Sequence, residues 1–240
     1  MRANNPTMTD SDRIINDLPT AGDSGAALFF GGSFDPPHAG HTTLPLAVSR
    51  SLEPSIPHGT TIYVPAARSP HKEEAPTPAA HRIAMLRLAI SENCAAWIWT
   101  GELDRARHNP ESPSYWADTW AAVRRARPDT HDRFLIGADQ ALSMHRWHRY
   151  QSFWRDAIVV LRDDHDESES LITALRKLGV WSDADTEHWR TRIAHLPLVD
   201  ASSTQIRESL ADPKRRENPI AGLDDRVHDY ILKHGLYRAY

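Results

Sequence analysis

An apolar run, Ala26-Ala27-Leu28-Phe29-Phe30, stops on Gly31-Gly32 and continues as Ser33-Phe34-Asp35-Pro36-Pro37-His38-Ala39-Gly40-His41 into a segment compatible with a helix. Uninterrupted apolar residues bounded by turn formers are the pattern of a strand buried on both faces, as in a parallel sheet. Strand, glycine turn and helix start together make a place for an anion. Glycine lets the backbone approach a ligand with no Cβ in the way, and the unpaired N–H groups of a helix N-terminus carry partial positive charge. With the helix under way by Pro37, His38 and His41 stand three residues apart on one face above that terminus. Two imidazoles over an anion site suit polyphosphate chemistry. As metal ligands they would need a third partner, and none lies nearby in the sequence. The string is neither the dinucleotide fingerprint nor the lysine-containing phosphate loop, because no Lys-Ser/Thr pair follows its glycines.

Further along, short β-branched or apolar runs alternate with helical patterns. Strands are expected at 60–65, 97–100, 133–137, 156–161 and 192–199, and helices at about 42–51, 79–91, 112–127, 168–178, 202–210 and 224–233. That alternation implies an α/β fold, a doubly wound parallel sheet with helices on both faces. The 240 residues suffice for one such domain, 26–240, after a flexible leader, 1–25, in which Ile14, Ile15 and Leu18 alone hint at a docking face. Residues 101–111 read as a polar connection, 163–167 as a solvated charge run, and 181–189 have no clear period. His81 and Arg82, the pair His145 and His148, and the run Lys214-Arg215-Arg216 read as surface.

The net charge of −4, with 14 histidines neutral, shows no basic bias, which argues against a nucleic acid polymer as partner. Any anionic ligand is therefore held locally. The single cysteine, Cys94, excludes an intrachain disulfide and fits a reducing compartment. No apolar run approaches the ~20 residues that span a bilayer. The leader lacks the basic start and apolar core of a signal peptide, so a cytoplasmic protein with no membrane partner is expected.

Residues 31–41 as a whole, Gly-Gly-Ser-Phe-Asp-Pro-Pro-His-x-Gly-His, resemble the signature of the nucleotidyltransferase superfamily that carries a His-x-Gly-His motif, and within it the nicotinate mononucleotide adenylyltransferases. Ser202-Ser203-Thr204-Gln205-Ile206-Arg207 is similar to a second motif of that family, Ser-Ser-Thr-x-Ile-Arg. On its residues alone this stretch is a capped helix with an arginine one turn in, able to bond phosphate oxygens. The resemblance implies a Rossmann-like fold and transfer of the adenylyl group of ATP to a pyridine mononucleotide, with pyrophosphate released and Mg²⁺ entering with ATP. It implies His41 on the α-phosphate, His38 on the phosphate chain, and Ser203, Thr204 and Arg207 at the β/γ end. Gly31, Gly32, Ser33, Phe34 and Gly40 would line the ATP site. Gly137 and Asp139 in Gly137-Ala138-Asp139 would contact the nucleotide, although a carboxylate there also suits a helix N-cap.

Three residues are assigned to the mononucleotide in the same way. Lys72 lies in Ser69-Pro70-His71-Lys72, a proline-rich segment that is either a solvated loop or a cover over the site. Trp147 is either a core plug or a flat surface for a pyridine ring. Tyr115 belongs to Ser114-Tyr115-Trp116, where the family has Ser-Tyr-Thr, and Trp120 stands at a family leucine. Those departures fall at the pyridine end and leave nicotinate against nicotinamide open, as the sequence does a homo-oligomeric state. The nearest alternatives are a pantetheine-phosphate adenylyltransferase, which shares the Gly-x-Phe-Asp-Pro string, and a non-catalytic nucleotide-binding module.

Overall fold

A computed structural model describes residues 13–20, 25–51, 60–67, 76–93, 95–110, 113–162, 165–196, 199 and 201–238. Lys72 and Cys94 lie outside them. Among the described residues seven strands form one sheet: β1 (Ile14–Ile15), β2 (Leu28–Gly32), β3 (Thr61–Pro65), β4 (Ala96–Trp99), β5 (Arg133–Gly137), β6 (Ala157–Arg162) and β7 (Ile193–Leu196). Their order is β1-β4-β3-β2-β5-β6-β7 and every pairing is parallel. The described residues also form helices α1 (Ala39–Ser51), α2 (Ala79–Ala89), α3 (Gly101–His108), α4 (Trp116–Ala126), α5 (Ala138–Ser143), α6 (His165–Lys177), α7 (Asp183–Arg190), α8 (Ser203–Ala211) and α9 (Asp225–His234).

A parallel sheet is stable only with both faces covered, and β2 shows how the sequence covers them. Alternate side chains of a strand point to opposite faces. Phe29 packs with Trp120 and Val123 of α4, whereas Leu28 packs with Val48 of α1. A further cluster, Met85, Ile206, Leu210, Leu223, Val227 and Ile231, joins α2, α8 and α9 into one block beside the sheet. The doubly wound architecture expected from the alternation of patterns is the one observed.

Several expectations are corrected. Over residues 13–20 the leader belongs to the fold, because β1 adds a parallel edge strand to β4 and buries Ile14 and Ile15 against two different clusters. Arg13 is buried and donates to the carbonyls of Ile90 at 3.3 Å, Ser91 at 2.8 Å and Asn93, just past the end of α2. Residues 101–108 form α3 rather than a connection, residues 183–190 form α7, and α6 starts inside the charge run at His165. Arg216, read as surface, is buried and donates to the carbonyls of Leu210 and Leu236. Arg13 and Arg216 are charged side chains that serve the backbone, which periodicity of apolar residues does not register.

The interior also holds a fully buried ion pair. Arg127 Nε donates to Asp132 Oδ2 at 2.8 Å, and neither side chain is exposed. Asp132 also accepts from Thr130 Oγ1 and from Ala27 N at the start of β2, while Arg127 reaches the carbonyls of Pro19 and Gly25. The pair thereby ties the leader to β2 and to the start of β5. Removing one partner strands a buried charge, so Asp132→Ala is expected to cost about 3–5 kcal/mol of stability by chemical denaturation. Replacing Arg127 by Met in that variant should recover part of the loss, since the orphaned cation is then gone.

Candidate active site

β2 pairs with β3 along its whole length, Leu28 to Gly32, but with β5 only at Leu28 and Phe29. Beyond Phe29 the two strands part, and the crevice at their carboxyl ends is where open α/β sheets bind ligands. Two cavities occupy it. One, of about 350 Å³, is lined by Gly31, Gly32, Ser33, Glu102, Tyr115, Trp116, Gln140, Arg146, Trp147 and His148 among others. The other, of about 390 Å³, is lined by Phe30, Gly31, His38, Gly40, His41, Gly137, Gln140, Val199 and Ala201 among others. Gly31, Leu135, Ile136 and Gln140 line both, so the two adjoin. Gly31 has to be glycine here, since a Cβ on it would lie 2.7 Å from the indole of Trp116.

The imidazoles are fixed by backbone. α1 begins at Ala39, so His38 precedes the helix and His41 lies in its first turn. The rings nevertheless lie 3.8 Å apart between centroids. His38 N donates to His41 Nδ1 and Gly40 N to His38 Nδ1, each at 3.2 Å. A ring nitrogen that accepts a hydrogen bond carries no proton of its own, so each imidazole keeps its proton on Nε2 and offers that N–H as a donor. Burial pushes the His38 pKa down from 6.5 to about 4. Ala39 N donates to Gly222 O at 2.7 Å, and His41 N to His38 O at 2.8 Å. The bare N–H groups expected to hold an anion are therefore engaged, and the imidazoles take over as donors at this helix start.

The second motif packs directly against the first. Ser202 caps α8 by accepting from Gln205 N. Ser203 Oγ donates to Pro36 O at 2.9 Å, and Arg207 Nη1 to Asp35 O at 2.8 Å. Arg207 also lies 3.3 Å from Thr204 Oγ1, which keeps both groups on the exposed end of α8. The Asp35 carboxylate accepts from Thr77 N at 3.1 Å and from the Tyr237 hydroxyl at 2.5 Å. Burial, and then the neighbouring Asp35, hold the Tyr237 pKa well above its ordinary value, so its hydroxyl stays a donor. Segments 35–41, 203–207 and 237, remote along the chain, thus meet around one aspartate.

The first cavity is aromatic on one side and polar on the other. The Tyr115 ring lies 4.5 Å from that of His148, which is exposed, as expected, and also lines the cavity. Trp147 packs on Phe153, and Trp116 on Trp120 and Phe134. Glu102 accepts from Ala67 N at 3.2 Å and Thr119 Oγ1 at 3.3 Å, and bonds Ser114. Its burial raises its pKa. The carboxylate holds the Ser114-Tyr115-Trp116 segment and the loop after β3 around the cavity.

Not every expected residue faces the crevice. Phe34 is 1% exposed and packs under the His41 ring at 5.0 Å, so it supports the site and lines neither cavity. Its backbone adopts φ +51°, a left-handed conformation uncommon for a bulky residue. Gly32 and Ser33, expected at the ATP site, line the first cavity alone. Asp139 is exposed in the first turn of α5, while its neighbour Gln140 caps that helix by accepting from Gly137 N and lines both cavities. Arg82, read as surface, is 1% exposed, and its guanidinium donates to the carbonyls of Ser33, Ala66 and Thr77 at 2.7–2.8 Å. It clamps the glycine turn to the loop that follows β3. Arg82 was detectable as a charge at an apolar position of the α2 stripe; Glu102 had no signal in a stretch that reads as polar throughout.

The cytidylyltransferase-like family matches residues 29–209. A "probable nicotinate-nucleotide adenylyltransferase" of Neisseria gonorrhoeae is 32% identical over 212 residues, spanning 87% of this chain and 96% of its own length. A protein of the same name from Gemmatimonas aurantiaca is 34% identical over 215 residues, spanning 88% and 92%. The solved Plasmodium falciparum nicotinic acid mononucleotide adenylyltransferase complexed with NaAD is similar in fold, with a TM-score of 0.60 at 17% identity over 88% of this chain and 97% of that one.

The depressed His38 pKa has a consequence for stability with a definite sign. Between pH 6.5 and about 4 the unfolded chain takes up a proton at this residue that the folded chain refuses, so stability falls as the pH drops through that window and is unaffected by this group above it. In His38→Gln the slope of melting temperature against pH over that window should be shallower than in the wild type. A ring titration followed by NMR should give a midpoint near 4 for His38.

Proposed function

Because the chain belongs to the cytidylyltransferase-like family and, within it, to the nicotinate-nucleotide adenylyltransferases, we propose that it transfers the adenylyl group of ATP to nicotinate mononucleotide, forming deamido-NAD and pyrophosphate in NAD biosynthesis. The observation that carries the assignment of groups is the pair of adjoining cavities on either side of Gly31, one walled by aromatic rings and the other by two imidazoles. The pyridine of the mononucleotide occupies the first, against Trp147 and Tyr115, and ATP occupies the second.

A phosphate oxygen of the mononucleotide attacks the α-phosphorus, the new P–O bond forms, and the bond from the α-phosphorus to the bridging oxygen of pyrophosphate breaks. No covalent enzyme intermediate is needed. The protein aligns two anions and neutralises charge that grows on the phosphoryl oxygens. His41 Nε2–H donates to the α-phosphate and His38 Nε2–H to the phosphate chain. Ser203, Thr204 and the Arg207 cation hold the β/γ end. Gly31, Gly40 and Gly137 border the nucleotide, and Lys72, which lies outside the described residues, is assigned to the mononucleotide on the family resemblance alone.

Among the described residues no group of three or more His, Cys, Asp or Glu side chains is placed to hold a metal ion. The Mg²⁺ implied by the resemblance would be carried by the triphosphate's own oxygens and would offset their charge. Among those residues no helix is long and apolar enough to cross a membrane.

The test is pyrophosphate release from ATP with nicotinate mononucleotide, nicotinamide mononucleotide and phosphopantetheine in parallel. Turnover fastest with nicotinate mononucleotide is expected. Preference for phosphopantetheine, or ATP binding with no release on any acceptor, would overturn the assignment. His41→Ala should lower turnover by about 10²-fold or more with little change in melting temperature, as loss of a transition-state donor does. Trp147→Ala should raise the KM for the mononucleotide and leave that for ATP near wild type.

A further inference from the structure

α1 contains a proline at position 45. A proline inside a helix has no N–H, so the bond that residue 45 would send back to the carbonyl of residue 41 cannot form. Residue 41 is the histidine assigned to the α-phosphate. The Tyr63 hydroxyl, from the middle of β3, donates to that carbonyl at 3.0 Å. Tyr63 is completely buried, and burial holds its pKa well above the ordinary phenol value, so the group is a proton donor throughout the working range. Its ring packs edge-on to Phe34 at 5.7 Å, and Phe34 in turn packs edge-on to the His41 imidazole at 5.0 Å. One side chain therefore reaches the same histidine twice, through its carbonyl and through an intervening ring.

We propose that Tyr63 is a positioning residue for His41, its hydroxyl standing in for the helical N–H that Pro45 lacks and so fixing the first turn of α1. A buried carbonyl at an interrupted helix bond draws in a donor, and a buried phenol requires an acceptor; here each satisfies the other. With His41 Nδ1 accepting from His38 N, the carbonyl and one ring nitrogen are both anchored to protein, so the position of the turn sets where the ring lies. Displacement of reacting groups by a fraction of an ångström to 1 Å is enough to slow an in-line transfer.

The inference rests on the role given to His41 above, and a double-mutant cycle tests it separately from that role. Four chains are compared in the pyrophosphate-release assay: wild type, Tyr63→Phe, Pro45→Ala and the double variant. Tyr63→Phe is expected to reduce kcat on the order of tenfold while the KM for the mononucleotide stays within about twofold, since α1 does not line the aromatic cavity. Pro45→Ala supplies the missing N–H and should be close to wild type. In that background Tyr63→Phe should lose most of its effect, which a simple loss of core packing would not do.

Turnover of Tyr63→Phe within twofold of wild type, or an equal loss in both backgrounds, would overturn the proposal. If Tyr63→Phe proves too unstable to assay, the thermal midpoints decide: recovery in the double variant supports the coupling, and a double variant as unstable as the single one overturns it. A fully active His41→Ala would sink the role of His41, whereas an additive cycle with His41→Ala inactive would sink this coupling alone.

Discussion

Everything at the carboxyl rim follows from the separation of β2 and β5 after Phe29. To that point the strands share a parallel ladder; past it, β2 stays with β3 and β5 with β6. The helices that follow β2 and β5 leave towards opposite faces, because Leu28 and Leu135 pack with Val48 of α1 while Phe29 and Phe134 share a cluster with Ala141 of α5. The backbone groups exposed in the gap need partners, and the residues that border it, Gly31, Leu135, Ile136 and Gln140, are the ones shared by the two cavities. A crevice of this kind brings two ligands together without any moving part, which is what a direct transfer between two anions requires.

The crevice would be of little use if its walls drifted, and buried polar side chains hold them by their backbones. Arg82 takes three carbonyls from three separate segments, Asp35 receives a hydroxyl and a backbone N–H while its own carbonyl engages Arg207, and Glu102 gathers the loop after β3 and the start of α4. Desolvation lowers the Arg82 pKa, with Asp35, Tyr237 and Glu102 opposing it, the pattern of a cation held inside by surrounding acceptors and acids. Each such group is costly if left unpaired, so the loops can take few arrangements other than the one that satisfies them all. The block of α2, α8 and α9 supplies the frame, since Met85, Ile206 and Val227 share one apolar cluster while Thr77, Arg207 and Tyr237, carried by the same block, surround Asp35.

This division explains what could be read from the chain and what could not. Strands β2, β3, β5 and β6 are apolar runs bounded by turn residues, and α2, α6 and α9 carry apolar stripes, so alternation sufficed to infer the sheet and both helical layers. The glycine turn, the two histidines and the Ser-Ser-Thr helix start were visible because their residue types are rare in that combination. Glu102, Tyr63 and Tyr237 were not, since each acts on groups far away in sequence and a single charged or aromatic residue has no period. The same limit applies to β1, two residues long and stabilised by pairing with β4 rather than by any pattern of its own. Phe34 misled in the other direction: it lies inside the motif, yet it turns inward beneath His41 instead of facing the ligand.

The choice of imidazoles at one end and a guanidinium at the other has an electrostatic logic. In the assignment proposed above, His38 stays neutral down to about pH 4 and meets the phosphate chain as a dipolar donor rather than a full cation. A fixed cation at the α-phosphate would bind the incoming and outgoing anions with similar strength, which lowers the ground state together with the transition state and gains little rate. Arg207, at the far end, is always charged and suits the terminal phosphates, where negative charge accumulates as pyrophosphate departs. In that assignment the full positive charge sits where the reaction delivers charge, and the neutral His38 imidazole lies along the chain through which it passes. That gradient is set by backbone alone, because the N–H groups of residues 38 and 40 fix both imidazoles in the tautomer that donates outward.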